Sequence, residues 1–147
     1  ISGLYVNELM VRLTGRGERD AALYTLYAST VAALKGEDPL EPLLRRFEVG
    51  LLDLLGYGVD FTTTADSGEA VMPDAHYFYQ PEAGFLATAP HAATLRLQGR
   101  TLLALGGRCA FEEPALREAK RFMRVLLQRQ LGDRPLQSRA LFGSSDE

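Results

Sequence analysis

The chain has 147 residues, 46% of them hydrophobic and 24% charged, with a net charge of −3. That length supports one domain with a real core, and that composition is ordinary for a globular protein. No apolar run approaches the ~20 residues of a membrane span, no start reads as a signal peptide, and the single cysteine, Cys109, excludes an internal disulfide or a multi-cysteine zinc site. One cysteine fits a reducing cytoplasm. Ile1 stands where an initiator Met is expected, so the chain reads as a fragment or a processed form.

In chain order, Leu4 to Leu13 reads as a helix and "TGRGER" (Thr14 to Arg19) as a loop broken by glycine. Asp20 to Leu34 reads as a second helix, with Leu23, Leu26, Tyr27, Val31 and Leu34 at helical spacing and Asp20 as a cap. A third helix follows "KGEDP", with Asp38 as the expected N-cap and Pro39 in its first turn. "GYG" (Gly56 to Gly58) stops it. The pattern changes between Val59 and Thr94. "HYFYQPEAGFLAT" predicts a β-hairpin or two short strands around Gln80 to Gly84. Leu95 to Leu105 reads as a weaker helix, broken by Gly99 or starting near Arg100. Glu112 to Leu131 reads as a strong one, with Pro114 in its first turn and Gly132 past its end. Arg139 to Phe142 reads as one last turn, and "GSSDE" as a frayed tail. The expected fold class is mainly α, one domain over 1–147 with a small irregular β-hairpin insertion at 59–94.

At ~100° per residue, Leu40, Leu43, Leu44, Phe47, Leu51, Leu54 and Leu55 form one apolar stripe on the third helix, a core face. Arg46 and Asp53 flank it. The back of the helix carries Arg45, Val49 and Leu52 at i, i+4 and i+7, with Glu48 beside them. Three readings of that back face stay open. Arg45 lays its methylenes over the apolar pair and keeps its head wet, or another helix covers the face. The functional reading is a pocket for a peptide terminus, in which Val49 and Leu52 receive an apolar side chain and Arg45 forks the carboxylate.

Charge is unevenly distributed. Between Arg117 and Arg139 seven cations face two acids, Glu118 and Asp133, leaving that segment at +5 and the rest at −8. An acidic body with a basic end can meet a polyanion locally. On the last long helix Leu116, Ala119, Met123, Leu126, Leu127 and Gln130 share a mostly apolar face. Arg117, Arg121, Arg124 and Gln128 line another, with Lys120 at the border. The row is either a solvated surface or a set of phosphate contacts, extended by Arg134 and Arg139, that bind DNA without reading sequence.

No catalytic set assembles. His76 and His91 are isolated, Cys109 has no histidine near it in sequence, and there is no GxxxxGK[ST] loop for nucleotide phosphates. Asp53 with Asp60, or Glu112 with Glu113, read as solvated caps rather than carboxylate pairs. The chain is expected not to be an enzyme and to need no cofactor.

"SGLYVNEL", "LLRRFEVGLLDLLGYGVDF", "LREAKRFMR" and "LGDRPLQSRALF" together resemble the C-terminal helical domain of the RecO family of recombination mediators, over nearly the whole chain. The resemblance implies a preceding OB-fold domain that is absent here. It implies binding to the acidic C-terminal tail of single-stranded DNA-binding protein, with Arg45 matching the arginine of the family's "LRRFE" motif. It further implies partnership with RecR and with single- and double-stranded DNA, strand annealing, RecA loading, and a bacterial cytoplasmic, nucleoid-associated location without membrane contact. Many relatives hold zinc through two CxxC pairs. The aligned positions here are Thr64, Ser67, Ala87 and Pro90, so the region resembles a zinc finger that has lost its cysteines, with Tyr77, Phe78, Tyr79, Phe85 and Leu86 as a substitute core. The alternative to the mediator is a structural helical module that positions a partner domain, its arginines serving local ion pairs.

Overall fold

The computed structural model describes residues 2–13, 20–92 and 94–131. These form α1 (Ser2–Leu13), α2 (Asp20–Leu34), α3 (Leu40–Leu54), β1 (His76–Gln80), β2 (Gly84–Leu86), β3 (Arg96–Gln98), α4 (Gly99–Leu105) and α5 (Ala115–Leu131). The described chain is helix-rich with one small antiparallel sheet. It divides into two compact units, Ile1–Gly58 with Met123–Glu147 and Val59–Phe122, so that α5 begins in the second and ends in the first. The second unit thus starts where the insertion was expected to start and runs on past Thr94 to Phe122.

In the first unit α2 packs on both α1 and α3. Gly50, in the middle of α3, permits this: a Cβ there would stand 3.3 Å from the Leu26 side chain of α2. Leu43, Leu44, Phe47, Leu51 and Leu55 are buried as the stripe predicts, but Leu40 (44%) and Leu54 (37%) are exposed at the two ends of the stripe. Buried Tyr5, Val6 and Leu9 come from α1, Leu23 from α2, and Met123, Leu126 and Leu127 from α5. On α2 only Leu23 of the five spaced residues is fully buried. Thr30 is buried as well, its hydroxyl donating to the Leu26 carbonyl at 2.8 Å. Pro39, not Asp38, is the N-cap of α3, and no side chain caps it. The helix ends as expected: Tyr57 N–H reaches back to the Leu52 carbonyl at 2.8 Å, and Gly56 takes the left-handed conformation at φ 90°.

In the second unit the expected hairpin, β1 with β2, is joined by a third strand on the other side of β1, in the order β2-β1-β3. Phe78 pairs with Leu86, and Tyr77 with Leu97. Of the two readings of Leu95 to Leu105, the helix starting near Arg100 is the one observed, since α4 begins at Gly99; the residues before it, Arg96–Gln98, form a third strand. A three-residue strand has too short an alternation to show in sequence. Along β1, Tyr77 and Tyr79 point inward while His76 is exposed and Phe78 half-buried, the two-residue period of a strand. Phe85, fully buried, has Phe61, Tyr79 and Phe122 at ring-centroid distances of 5.9, 5.4 and 5.5 Å. Tyr79 and Phe122 meet edge to face at 5.2 Å. Of the expected mini-core, Phe78 and Leu86 are only half-buried, and Phe61 and Phe122 take their places.

Candidate peptide and nucleic-acid sites

Arg45 lies one turn into α3 and is 3% exposed. Its Nε and Nη2 donate to the two carboxylate oxygens of Glu48 at 2.8 and 3.0 Å, and Nη1 donates to Glu41 Oε1 at 3.0 Å. Glu48 is wholly buried and also accepts the Tyr5 hydroxyl proton from α1. Burial disfavours the Arg45 cation. The charge and hydrogen bonds of Glu48 together outweigh it, with smaller help from Tyr5 and Glu41, and hold the pKa above the ordinary arginine value. This is a satisfied buried pair: both carboxylate oxygens and three guanidinium nitrogens have partners.

The expected outward pocket is therefore corrected in its geometry. Arg45 and Leu52 are buried, Leu52 at 2%, and Val49 is half-buried. The two-nitrogen edge that would fork a peptide carboxylate is filled by Glu48, three residues along the same helix. Of the three open readings of the back face, the wet-headed one does not fit the burial of Arg45. The sequence contained the signal in "RRFE": Arg45 and Glu48 at i, i+3 are helix neighbours. What it lacked was Tyr5, forty-three positions away, whose hydroxyl completes the carboxylate's shell.

The basic face of α5 is built differently. Arg117 and Arg121, one turn apart, are exposed, as are Gln128 and Arg129, while Lys120 and Arg124 are half-buried at its border. Arg117 makes only a loose pair with Glu113, 3.9 Å apart and open to solvent, a kind of contact that contributes little. Arg134 and Arg139 lie outside the described residues. The apolar side of the helix is anchored by Ala119, Phe122, Met123, Leu126 and Leu127, all buried, so the arginines are displayed from a fixed stem. Glu118, counted in the sequence only as a charge, accepts hydrogen bonds from the Gln98 backbone N–H at 2.9 Å and from the Thr101 hydroxyl. It stands at the positive N-terminus of α4 and fixes the start of α5 to that turn.

The second unit also holds an open cavity of about 240 Å³, lined among others by Asp74, His76, Arg100, Glu112 and Glu113. Arg100 pairs with Asp74 at 2.8 Å, so the lining carries an acidic excess unsuited to DNA or an acidic tail. His76, His91 and Cys109 are exposed, and no group of three potential metal ligands occurs among the described residues.

The zinc expected of CxxC-bearing relatives does not fit the donors present. Thr64 and Ser67 join their hydroxyls to each other at 2.7 Å, and Ala87 and Pro90 carry no donor atom at all. Four soft thiolate ligands are what such an ion requires.

The described residues form a helix-rich domain with a small antiparallel sheet, and one of its helices displays cations. The sequence comparisons are more specific. The chain matches the family model "Recombination protein O C terminal" over residues 1–140, and it belongs to that family. It is 48% identical over 144 residues to the DNA repair protein RecO of Alkalilimnicola ehrlichii, covering 96% of this chain and 56% of the relative. To its namesakes in Enterobacter sp. strain 638 and Aliivibrio salmonicida it is 46% and 42% identical, covering 96% of this chain and 60% and 59% of theirs. The chain thus spans about three-fifths of the length of these curated relatives.

Proposed function

We propose that this chain is the helical part of a recombinational DNA repair mediator, acting by binding rather than by catalysis. One observation carries the DNA-binding part: Arg117 and Arg121 stand exposed, one turn apart, on a helix whose other side is anchored in the core. Cations so displayed suit phosphates, and phosphate contacts give affinity without sequence preference. The relatives' name, DNA repair protein RecO, agrees in kind. Partnership with RecR, strand annealing, RecA loading, action on single and double strands, and a cytoplasmic, nucleoid-associated setting belong to the same proposal. Replacing Arg117 and Arg121 by Gln should weaken binding of labelled DNA to a similar degree for every sequence tried. Loss confined to particular sequences would contradict it.

For the acidic tail of single-stranded DNA-binding protein, the proposal keeps Arg45, Val49 and Leu52 but changes the chemistry. Glu48 holds the forked edge, so the tail carboxylate would take the Nη1 edge by displacing Glu41, whose side chain is 35% exposed. Glu41→Gln, which removes the competing anion, should then tighten tail-peptide binding several-fold. Unchanged affinity would assign Arg45 to the fold alone. That second reading, a structural helical module, is favoured for Arg45 by its complete set of internal partners, Glu41, Glu48 and, through Glu48, Tyr5.

A further inference from the structure

The turn from Thr64 to Glu69, whose Thr64 and Ser67 stand where the family resemblance implies a CxxC pair, is closed by its own hydrogen bonds. Thr64 is 3% exposed. Its N–H donates to the Glu69 carbonyl at 2.9 Å, and its carbonyl accepts from Gly68 N–H at 2.8 Å. Its hydroxyl meets Ser67 Oγ at 2.7 Å, across the two positions where cysteine sulfurs would face a shared ion. Gly68 sits in the left-handed region at φ 74°, which lets the chain turn back so tightly. The turn is then fastened to the sheet. Ala65 N–H donates to the Phe85 carbonyl at 2.7 Å, and Phe85 meets three other rings of the buried aromatic cluster. The second pair of positions, Ala87 and Pro90, is exposed and offers no such bond.

We propose that the Thr64–Ser67 hydroxyl pair, docked through Ala65 on the Phe85 ring cluster, is a metal-free clamp that closes this unit. The proposal goes beyond DNA or peptide binding and stands whether or not those are correct. It makes the unit's folding independent of zinc supply. The chain's one thiol, Cys109, lies outside the turn, with its Sγ 3.9 Å from the Arg100 carbonyl.

The test uses the whole chain. Metal content and thermal unfolding are measured with and without excess EDTA. Amide exchange at Ala65 and Gly68 is followed in Thr64→Val, Ser67→Ala, the double variant and Thr64→Ser. The clamp predicts metal far below one ion per chain and a midpoint that EDTA leaves unchanged. Each single variant should lose about 4 °C and exchange both amides roughly tenfold faster. The double variant should lose less than the sum of the two singles, because both remove the shared 2.7 Å bond and each separately removes only one long 3.4 Å bond to the Glu69 backbone. Thr64→Ser, which keeps the hydroxyl, should retain the parent's slow exchange. It also keeps the comparison decisive if Thr64→Val does not fold. One bound ion per chain with an EDTA-sensitive midpoint, additive losses in the double variant, or Thr64→Ser exchanging as fast as Ser67→Ala would each overturn the clamp.

Discussion

Arg45 and Glu48 form a two-point ion pair inside the first unit, Nε to Oε1 at 2.8 Å and Nη2 to Oε2 at 3.0 Å, with only 4% and 1% of their side chains exposed. A buried pair of this kind is weak evidence of net stabilisation, because both ions were removed from water to make it. Breaking it is another matter. Arg45→Ala leaves a carboxylate with no cation in the interior and should destabilise the protein by about 3–5 kcal/mol. Lys should rescue little, since it lacks the planar fork. Replacing both partners by apolar residues, Arg45→Met with Glu48→Leu, should recover most of the loss. Urea unfolding of the four proteins checks this, and a double variant no better than Arg45→Ala would contradict it.

Asp60 gives the fold a dependence on acid. Its carboxylate accepts the Thr63 hydroxyl, the Thr62 N–H and hydroxyl at 2.9 Å each, and the Thr63 N–H at 3.3 Å. The Thr63 hydroxyl bond comes first among the causes that lower its pKa from 3.8 to about 2. A group depressed on folding stabilises above its unfolded value and loses that contribution as the pH falls. The window here is therefore from about pH 4 down to about 2. Asp60→Asn should flatten the stability profile across that window and leave its shape above pH 5 unchanged. Because the carboxylate is open to solvent, high salt should also shrink the difference. Midpoints that fall equally steeply in both proteins would assign the acid loss to other groups.

Phe122 touches three rings, Phe61, Tyr79 and Phe85, with centroids 6.3, 5.2 and 5.5 Å away. Phe122→Ala should destabilise by about 3–5 kcal/mol through the lost burial and the cavity left behind. Phe122→Leu should lose less and should still remove much of the near-ultraviolet circular dichroism contributed by Tyr79. A variant with parental stability would mean that the cluster is not what holds the second unit.

The helices were legible because their signals are local. Leucine spacing gave α3, the Gly56 stop its end, and α2 was read with its observed bounds. The sheet was half legible: β1 alternates over five residues, whereas β3 has only three, Arg96 to Gln98, too few for a period to show. Distant partners were the limit elsewhere. The readings of Arg45 stayed open because nothing nearby in sequence announces the Tyr5 hydroxyl, and Glu118 counted only as a charge because Gln98 and Thr101 meet it only in the folded chain. Of the basic row on α5, Arg124 is half-buried. The row's exposed members, Arg117 and Arg121, stand where the helical wheel put them.

The most direct test of the mediator reading is the salt dependence of DNA binding. Affinity for a labelled single strand is measured over a series of salt concentrations for the parent and for Arg117→Gln with Arg121→Gln. Both side chains are exposed, so the fold should be unaffected. If the two arginines contact phosphates, the log–log slope should become shallower by roughly 0.7 per lost contact, about 1.4 in all. Parallel lines, with binding unchanged or merely offset, would show that α5 does not touch the DNA backbone.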